Sequence, residues 1–224
     1  MPDWKGTSRE NPAMTDSTEG TRLFLVTPPR IDAVSFPPLL AEALAAGDVA
    51  AVLVASEGGA DVIGPLVKII QEGGSAALVA DDTRLAGHVG ADGVHIEGGI
   101  QDLRFAVESF RPRRIVGAGN LHSRHAAMEA AELDLDFLFF GRPHGDTHDA
   151  PHPKALELAE WWSELMQIPA VIMAGRTLDS IAEAAATGAD FVALHDAVWS
   201  HAGGPAEAIR LAHAKLGEAG RRAA

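Results

Sequence analysis

The sequence predicts an α/β chain that closes into a single barrel of eight parallel βα units. Three observations carry that expectation. From Arg22 onward, short and almost continuously apolar runs alternate with Ala-rich stretches of helical period, as strands buried on both faces alternate with amphipathic helices. The helical stretches close on Gly or a polar turn, the usual helix stop. Eight such units fit into roughly 200 residues, which suits a compact (β/α)8, or TIM, barrel better than a doubly wound open sheet.

The strands are read in order as "RLFLVT" (22–27), "VAAVLVA" (49–55), "SAALVAD" (75–81), "GVHIE" (93–97), "RRIVGAG" (113–119), "LDFLFFGR" (135–142), "AVIMAG" (170–175) and "FVALHD" (191–196). Between them lie amphipathic segments such as "PPLLAEALAAG", "VIGPLVKIIQEGG", "HSRHAAMEAAEL", "PKALELAEWWSELM" and "TLDSIAEAAATG". The phrases "VGADGVHI" (89–96) and "TGADFVAL" (187–194) are one device used twice, a Gly ending a helix just before the next strand. Residues 1–21 read as a polar tail without the apolar core of a signal peptide, and 22–224 as one barrel domain.

Composition narrows the function classes. With 18 Lys and Arg against 31 Asp and Glu the formal charge is −13, which repels phosphate backbones and anionic lipid and argues against nucleic acid and membrane surfaces as partners. The absence of cysteine removes disulfides, thiolate metal sites and a Cys nucleophile, and suits a reducing cytoplasm. No apolar run approaches the roughly 20 residues that span a bilayer. A homo-oligomer is compatible with the sequence.

Barrel enzymes build their sites from the loops after the strands, so the residues that end strands are the candidates. Arg142 and Arg176 follow the sixth and seventh strands and are expected to point into one rim, where guanidinium groups suit a phosphate or carboxylate. Gly175 precedes Arg176 at a helix start, where backbone N–H groups favour an anion; the plainer role for Arg176 is to cap a neighbouring carbonyl or pair with Asp179 on the surface. Asp196, beside His195 after the eighth strand, opposes a bound phosphate unless Arg176 or His195 neutralises it. "GAGNLHS" (117–123) offers Gly117 and Gly119 for close approach of a ligand, then Asn120 and His122, the latter either an acid/base group or a solvated residue before a helix.

Asp81 and Asp82 end the third strand. One could hold magnesium through oxygen, and at least one is expected to cap the following helix. His95 and Glu97 share a face of the fourth strand, with His95 expected to be buried and hydrogen-bonded. "GRPHGDTHDAPHPK" (141–154) sets His144, His148 and His152 four apart, but Pro143, Pro151 and Pro153 preclude the helix that would align them. The stretch reads as a mobile substrate-covering loop rather than a metal site.

"LFLVT", "ADDTRLAGHVGADGVHI", "DFLFFG" and "IPAVIMAGRTLDSIAEAAATGADFVAL" together resemble the thiamine phosphate synthase family and its thiazole tautomerase relatives, over residues 22 to 217. The resemblance implies a synthase that joins a hydroxymethylpyrimidine diphosphate to a thiazole phosphate with magnesium, releasing pyrophosphate. Matched residue by residue, the family's Gln-x-Arg-x-Lys motif falls on Val52, Val54 and Ser56. Its Asn-Asp pair falls on Ala80 and Asp81, so Asp81 is the surviving metal carboxylate. The second magnesium ligand falls on Ile100, with Asp102 as a displaced substitute; the Thr/Lys loop becomes "PHGDTHD"; the double Gly becomes Ala174 and Gly175; and the phosphate-site Ser becomes Asp196. In the tautomerase branch the proton-transferring His matches His122, followed by Ser123.

Three readings follow. One is an enzyme of thiamine biosynthesis, a synthase with most of its motifs eroded or a tautomerase working through His122. The others are a non-catalytic relative that binds a small ligand or regulates a partner, and a different enzyme on the same barrel using His122, His144 and His195. The residues carrying these readings are His122 and Asp81 for chemistry, with Gly117, Gly119, Asn120, Arg142, His144, Gly175, Arg176, His195 and Asp196 for a small anionic substrate such as thiazole phosphate.

Overall fold

The computed structural model describes residues 20–223, side chains through Arg221. Of the 1–21 tail only Gly20 and Thr21 lie among the described residues, and the Thr21 hydroxyl already donates to the Ala189 carbonyl at 3.0 Å. Eight parallel strands pair in sequence order and close, β1 with β8, into a barrel. They are β1 (Arg22–Val26), β2 (Val49–Val54), β3 (Ala76–Ala80), β4 (Gly93–Ile96), β5 (Ile115–Ala118), β6 (Phe137–Phe140), β7 (Ala170–Met173) and β8 (Phe191–Leu194). All eight expected strands are present, each shorter than its apolar run by one to four residues. Asp81, Glu97, Arg142, His195 and Asp196 therefore stand just beyond strand ends, on the mouth.

Helices follow the strands: α1 (Phe36–Ala45), α2 (Ala60–Glu72), α3 (Thr83–Val89), α4 (Ile100–Phe110), α5 (Arg124–Ala131), α6 (Pro153–Leu165), α7 (Ile181–Ala185, entered through a 3₁₀ turn at Leu178–Ser180), the single turn α8 (Asp196–Trp199) and α9 (Pro205–Ala223).

The strands bury both faces. Phe24, Leu53, Leu78, Phe137, Phe139 and Met173 point into the barrel, while Leu23, Leu25, Val52, Leu138 and Ile172 meet helix residues such as Leu66 and Trp162. The barrel floor pairs large with small. Phe137 and Phe139 stand beside β4 and β5, and a Cβ on Gly117 would lie 2.0 Å from the Phe137 ring. Gly117, expected to admit a ligand, instead makes room for this ring.

At the opposite end from the mouth, an aspartate just before each even-numbered strand reaches the preceding odd one. Asp48 takes the Arg22 guanidinium at 2.9 Å, and Asp92, Asp136 and Asp190 accept the backbone N–H of Ala77, Val116 and Ala170 at 2.8, 2.7 and 2.8 Å. The repeated Gly-Ala-Asp phrase is thereby explained. Gly90 and Gly188, at φ 73° and 77°, take the left-handed turn that ends a helix; Ala91 and Ala189 are buried; and the aspartate then ties down the neighbouring strand.

Candidate functional site

The β3 to β5 side of the mouth is interlocked by its own polar groups. The two aspartates after β3 divide their work, with Asp82 capping α3 by accepting the Leu85 N–H at 2.7 Å. Asp81 sits at φ 50° and turns its carboxylate to the Glu97 N–H, also at 2.7 Å. Asn120, at φ 57°, donates its side-chain amide to the Glu97 carbonyl at 3.1 Å. Asp102 folds back over Gly98, where a Cβ would meet its Oδ2 at 2.4 Å.

His95 is fully buried, stacked 5.8 Å from Phe137 with the planes 6° apart. Contrary to expectation, among the described residues it has no hydrogen bond: neither ring nitrogen has a partner, and Nε2 lies 3.8 Å from Glu97 Oε1, itself buried and without a hydrogen bond there. Gly119 leaves the space these groups need, since its Cβ would lie 2.5 Å from His95 Nε2.

The β6 to β1 side is roofed by the segment after β6. His144 reaches across the mouth and its Nε2 donates to the Thr27 carbonyl at the end of β1, at 3.0 Å; because a carbonyl only accepts, Nε2 carries the proton. Asp146, buried, accepts from His195 Nδ1 at 3.0 Å and from the Asp196 N–H at 2.7 Å. Burial pushes the Asp146 carboxyl up, but the His195 contact and the Asp196 N–H outweigh it, so the group sits below its ordinary value and is ionised at neutral pH. The His144 and His195 rings meet edge to face with centroids 5.0 Å apart.

The segment then passes over β7. The His148 carbonyl accepts the Arg176 N–H at 2.7 Å, and Asp149 pairs with the Arg176 guanidinium at 3.0 Å. A Cβ on Gly175 would lie 2.2 Å from the Asp149 carbonyl oxygen, so this glycine admits the chain's own backbone, while its N–H donates to the Ser180 hydroxyl at 2.9 Å.

These contacts revise several expectations. The segment covers the mouth, but it is pinned at β1, β7 and β8. Its three histidines go separate ways: His144 to Thr27, His148 Nδ1 to the Thr147 hydroxyl, and His152 to the Lys154 N–H as the cap of α6. Among the described residues no three His, Asp or Glu side chains are grouped to hold a metal ion. Arg176 pairs with Asp149 rather than Asp179, which is bound to Lys215 at 2.7 Å. Arg142 and Arg176 do not share a rim, since Arg176 borders a hollow with Asp179, Asp196 and Lys215, whereas Arg142 borders one with His122 and His144. Asp196 turns its carboxylate to the Ser200 hydroxyl.

The hollow around Arg142 is a cavity of about 390 Å³ between the loops after β5 and β6 and the start of α6, with His152 and Lys154 on its wall. Asp146 and Lys154 were not singled out as site residues in the sequence, and Glu97 was noted there only for sharing a strand face with His95. Asp146 hides among polar loop residues with no spacing to mark it, and Lys154 reads as an ordinary first-turn helix residue.

A family model described as thiamine monophosphate synthase matches residues 23–198. The chain is 36% identical over 211 residues to a thiamine-phosphate synthase of Hyphomonas neptunium, covering 88% of this chain and 96% of that protein. It is likewise 36% identical over 201 residues to one of Rhodospirillum centenum, covering 84% and 94%. A thiamine phosphate pyrophosphorylase from Pyrococcus furiosus superposes with a TM-score of 0.71 at 23% identity over 88% of this chain and 96% of that one, a likeness of fold. Both relatives bear the synthase name, and nothing in these similarities favours a tautomerase or a non-catalytic protein. With its closed eight-stranded barrel and a match from the first strand to the turn after the last, the chain belongs to the thiamine monophosphate synthase family.

Proposed function

We propose that this protein is a thiamine-phosphate synthase, a cytoplasmic enzyme whose barrel, residues 22–224, joins a pyrimidine diphosphate to a thiazole phosphate and releases pyrophosphate. The observation that carries the reading is 36% identity, over 88% and 84% of the chain, to two proteins of that name. In this reading the substrates meet at the mouth between the half framed by Asp81, Glu97, Gly119 and Asn120 and the half framed by His122, Arg142 and His144. The β6 segment with its His144 and Asp146 anchors keeps water from the β1 and β8 side.

Magnesium fits the first half. Asp81 supplies a carboxylate just beyond β3, and Glu97, whose Oε1 has no hydrogen-bond partner among the described residues, stands just beyond β4 with its N–H on Asp81. Two carboxylates suffice for magnesium when a substrate diphosphate completes the octahedron. When bound, the ion would neutralise charge building on the departing diphosphate. Asp81 would hold it, and Asn120 would keep Glu97 in register through the 3.1 Å bond to the Glu97 carbonyl.

The test is the reaction itself, with thiamine phosphate read as its fluorescent oxidation product. Product above the enzyme-free control, falling by about a hundredfold or more in Asp81→Ala, is the expected result, because one lost charge contact in a transition state is worth about 2.7 kcal/mol or more. Folded protein that gives no product removes the reading.

A further inference from the structure

Two carboxylates of the β6 segment already fill the places after β7 and β8 where an anion would be held. Asp149 neutralises Arg176 and Asp146 takes the Asp196 N–H. Gly175 has its N–H on Ser180 and the Asp149 backbone over its Cα, so its own N–H is already taken. A phosphoryl group entering that position would displace two acidic side chains, one of them buried.

The same segment has an opposite side. The cavity between the loops after β5 and β6 is lined by His122, Arg142, His144, Thr147, His152 and Lys154, and no Asp or Glu is on its wall, in a chain whose net charge is −13. Neither the Arg142 guanidinium nor the Lys154 ammonium is paired with a carboxylate among the described residues, whereas Arg22, Arg111, Arg176 and Arg210 each are. Helix α6 opens at Pro153 on this wall, adding the partial positive charge of a 13-residue helix. An unpaired fork of N–H donors, an ammonium, a hydroxyl and imidazoles around a hollow of about 390 Å³ are the donor set of a phosphoryl site.

We propose that this cavity is the phosphoryl subsite of the protein, with Arg142 and Lys154 as its cations and Thr147, His122 and His152 as further hydrogen-bonding groups. The subsite rests on the synthase reading for which substrate delivers the phosphoryl group, a monophosphate or a diphosphate, and on the cavity alone for the binding.

The experiment is titration of the full chain with inorganic phosphate and, separately, inorganic pyrophosphate, by calorimetry and phosphorus NMR, without magnesium. The comparison uses Arg142→Ala/Lys154→Ala, Arg176→Ala and the surface control Arg210→Ala, with circular dichroism to confirm folding. The expected result is binding of at least one anion that weakens about tenfold or more in Arg142→Ala/Lys154→Ala and holds in Arg210→Ala, the tenfold loss being the least that two lost charge contacts should give. The anion bound more tightly identifies the source. No binding, binding unchanged in the double variant, or binding lost only in Arg176→Ala overturns the proposal. Thiamine phosphate formed by an enzyme with any of those results would leave the reaction standing and the subsite refuted.

Discussion

His95 and Asp146 are both buried polar residues, yet they are in opposite condition. Asp146 is answered by an imidazole and a backbone N–H, whereas His95 lies under Phe137 with both nitrogens unanswered. A buried polar group without a partner costs about 1–3 kcal/mol, so His95→Leu should leave the melting temperature unchanged or raise it, as thermal unfolding followed by circular dichroism would verify. Asp146→Asn should instead lose about 1.5–3 kcal/mol, because a charge-assisted contact to His195 becomes a neutral one. The sequence made His95 legible as buried but not as unpaired, since pairing depends on what β5 and β6 bring alongside. It also allowed that one of Asp81 and Asp82 would be a cap, and only the φ of 50° at Asp81 decides which one faces the mouth.

At the level of the element, the strands were readable because parallel strands buried on both faces have little choice but to be apolar. The segment after β6 was not, because its conformation is fixed by distant partners: Thr27 lies 117 positions away in sequence and His195 lies 49 from Asp146. Prolines excluded a helix there but could not say where the carboxylates would land. One pH dependence belongs to this segment. The Asp146 carboxyl is held below its ordinary value, so its anchoring contribution is complete above the ordinary aspartate range and is lost as pH falls through the depressed folded value. Amide hydrogen exchange at Asp196 should therefore stay slow from neutral pH down through mild acid and accelerate, relative to the intrinsic rate, only in strong acid. In Asp146→Asn that transition should be absent.

For the molecule as a whole, the family and the barrel were readable from βα alternation and quoted phrases, while the distribution of charge was not. A net charge of −13 describes the surface on average; the fold gathers Arg142, Lys154 and three imidazoles around one hollow and leaves acids off its wall. The aspartates at the closed end have a consequence of a different kind. Each ties an even strand to the odd strand before it, so these side-chain links lie within the pairs β1–β2, β3–β4, β5–β6 and β7–β8. The chain is thus written in four two-strand modules, and a break between modules severs none of these links. Cut between Gly98 and Gly99, the halves 22–98 and 99–224 should associate when produced together and give the circular dichroism and tryptophan emission of the uncut barrel. If they fail to do so, the modules depend on chain continuity for more than their aspartate ties supply.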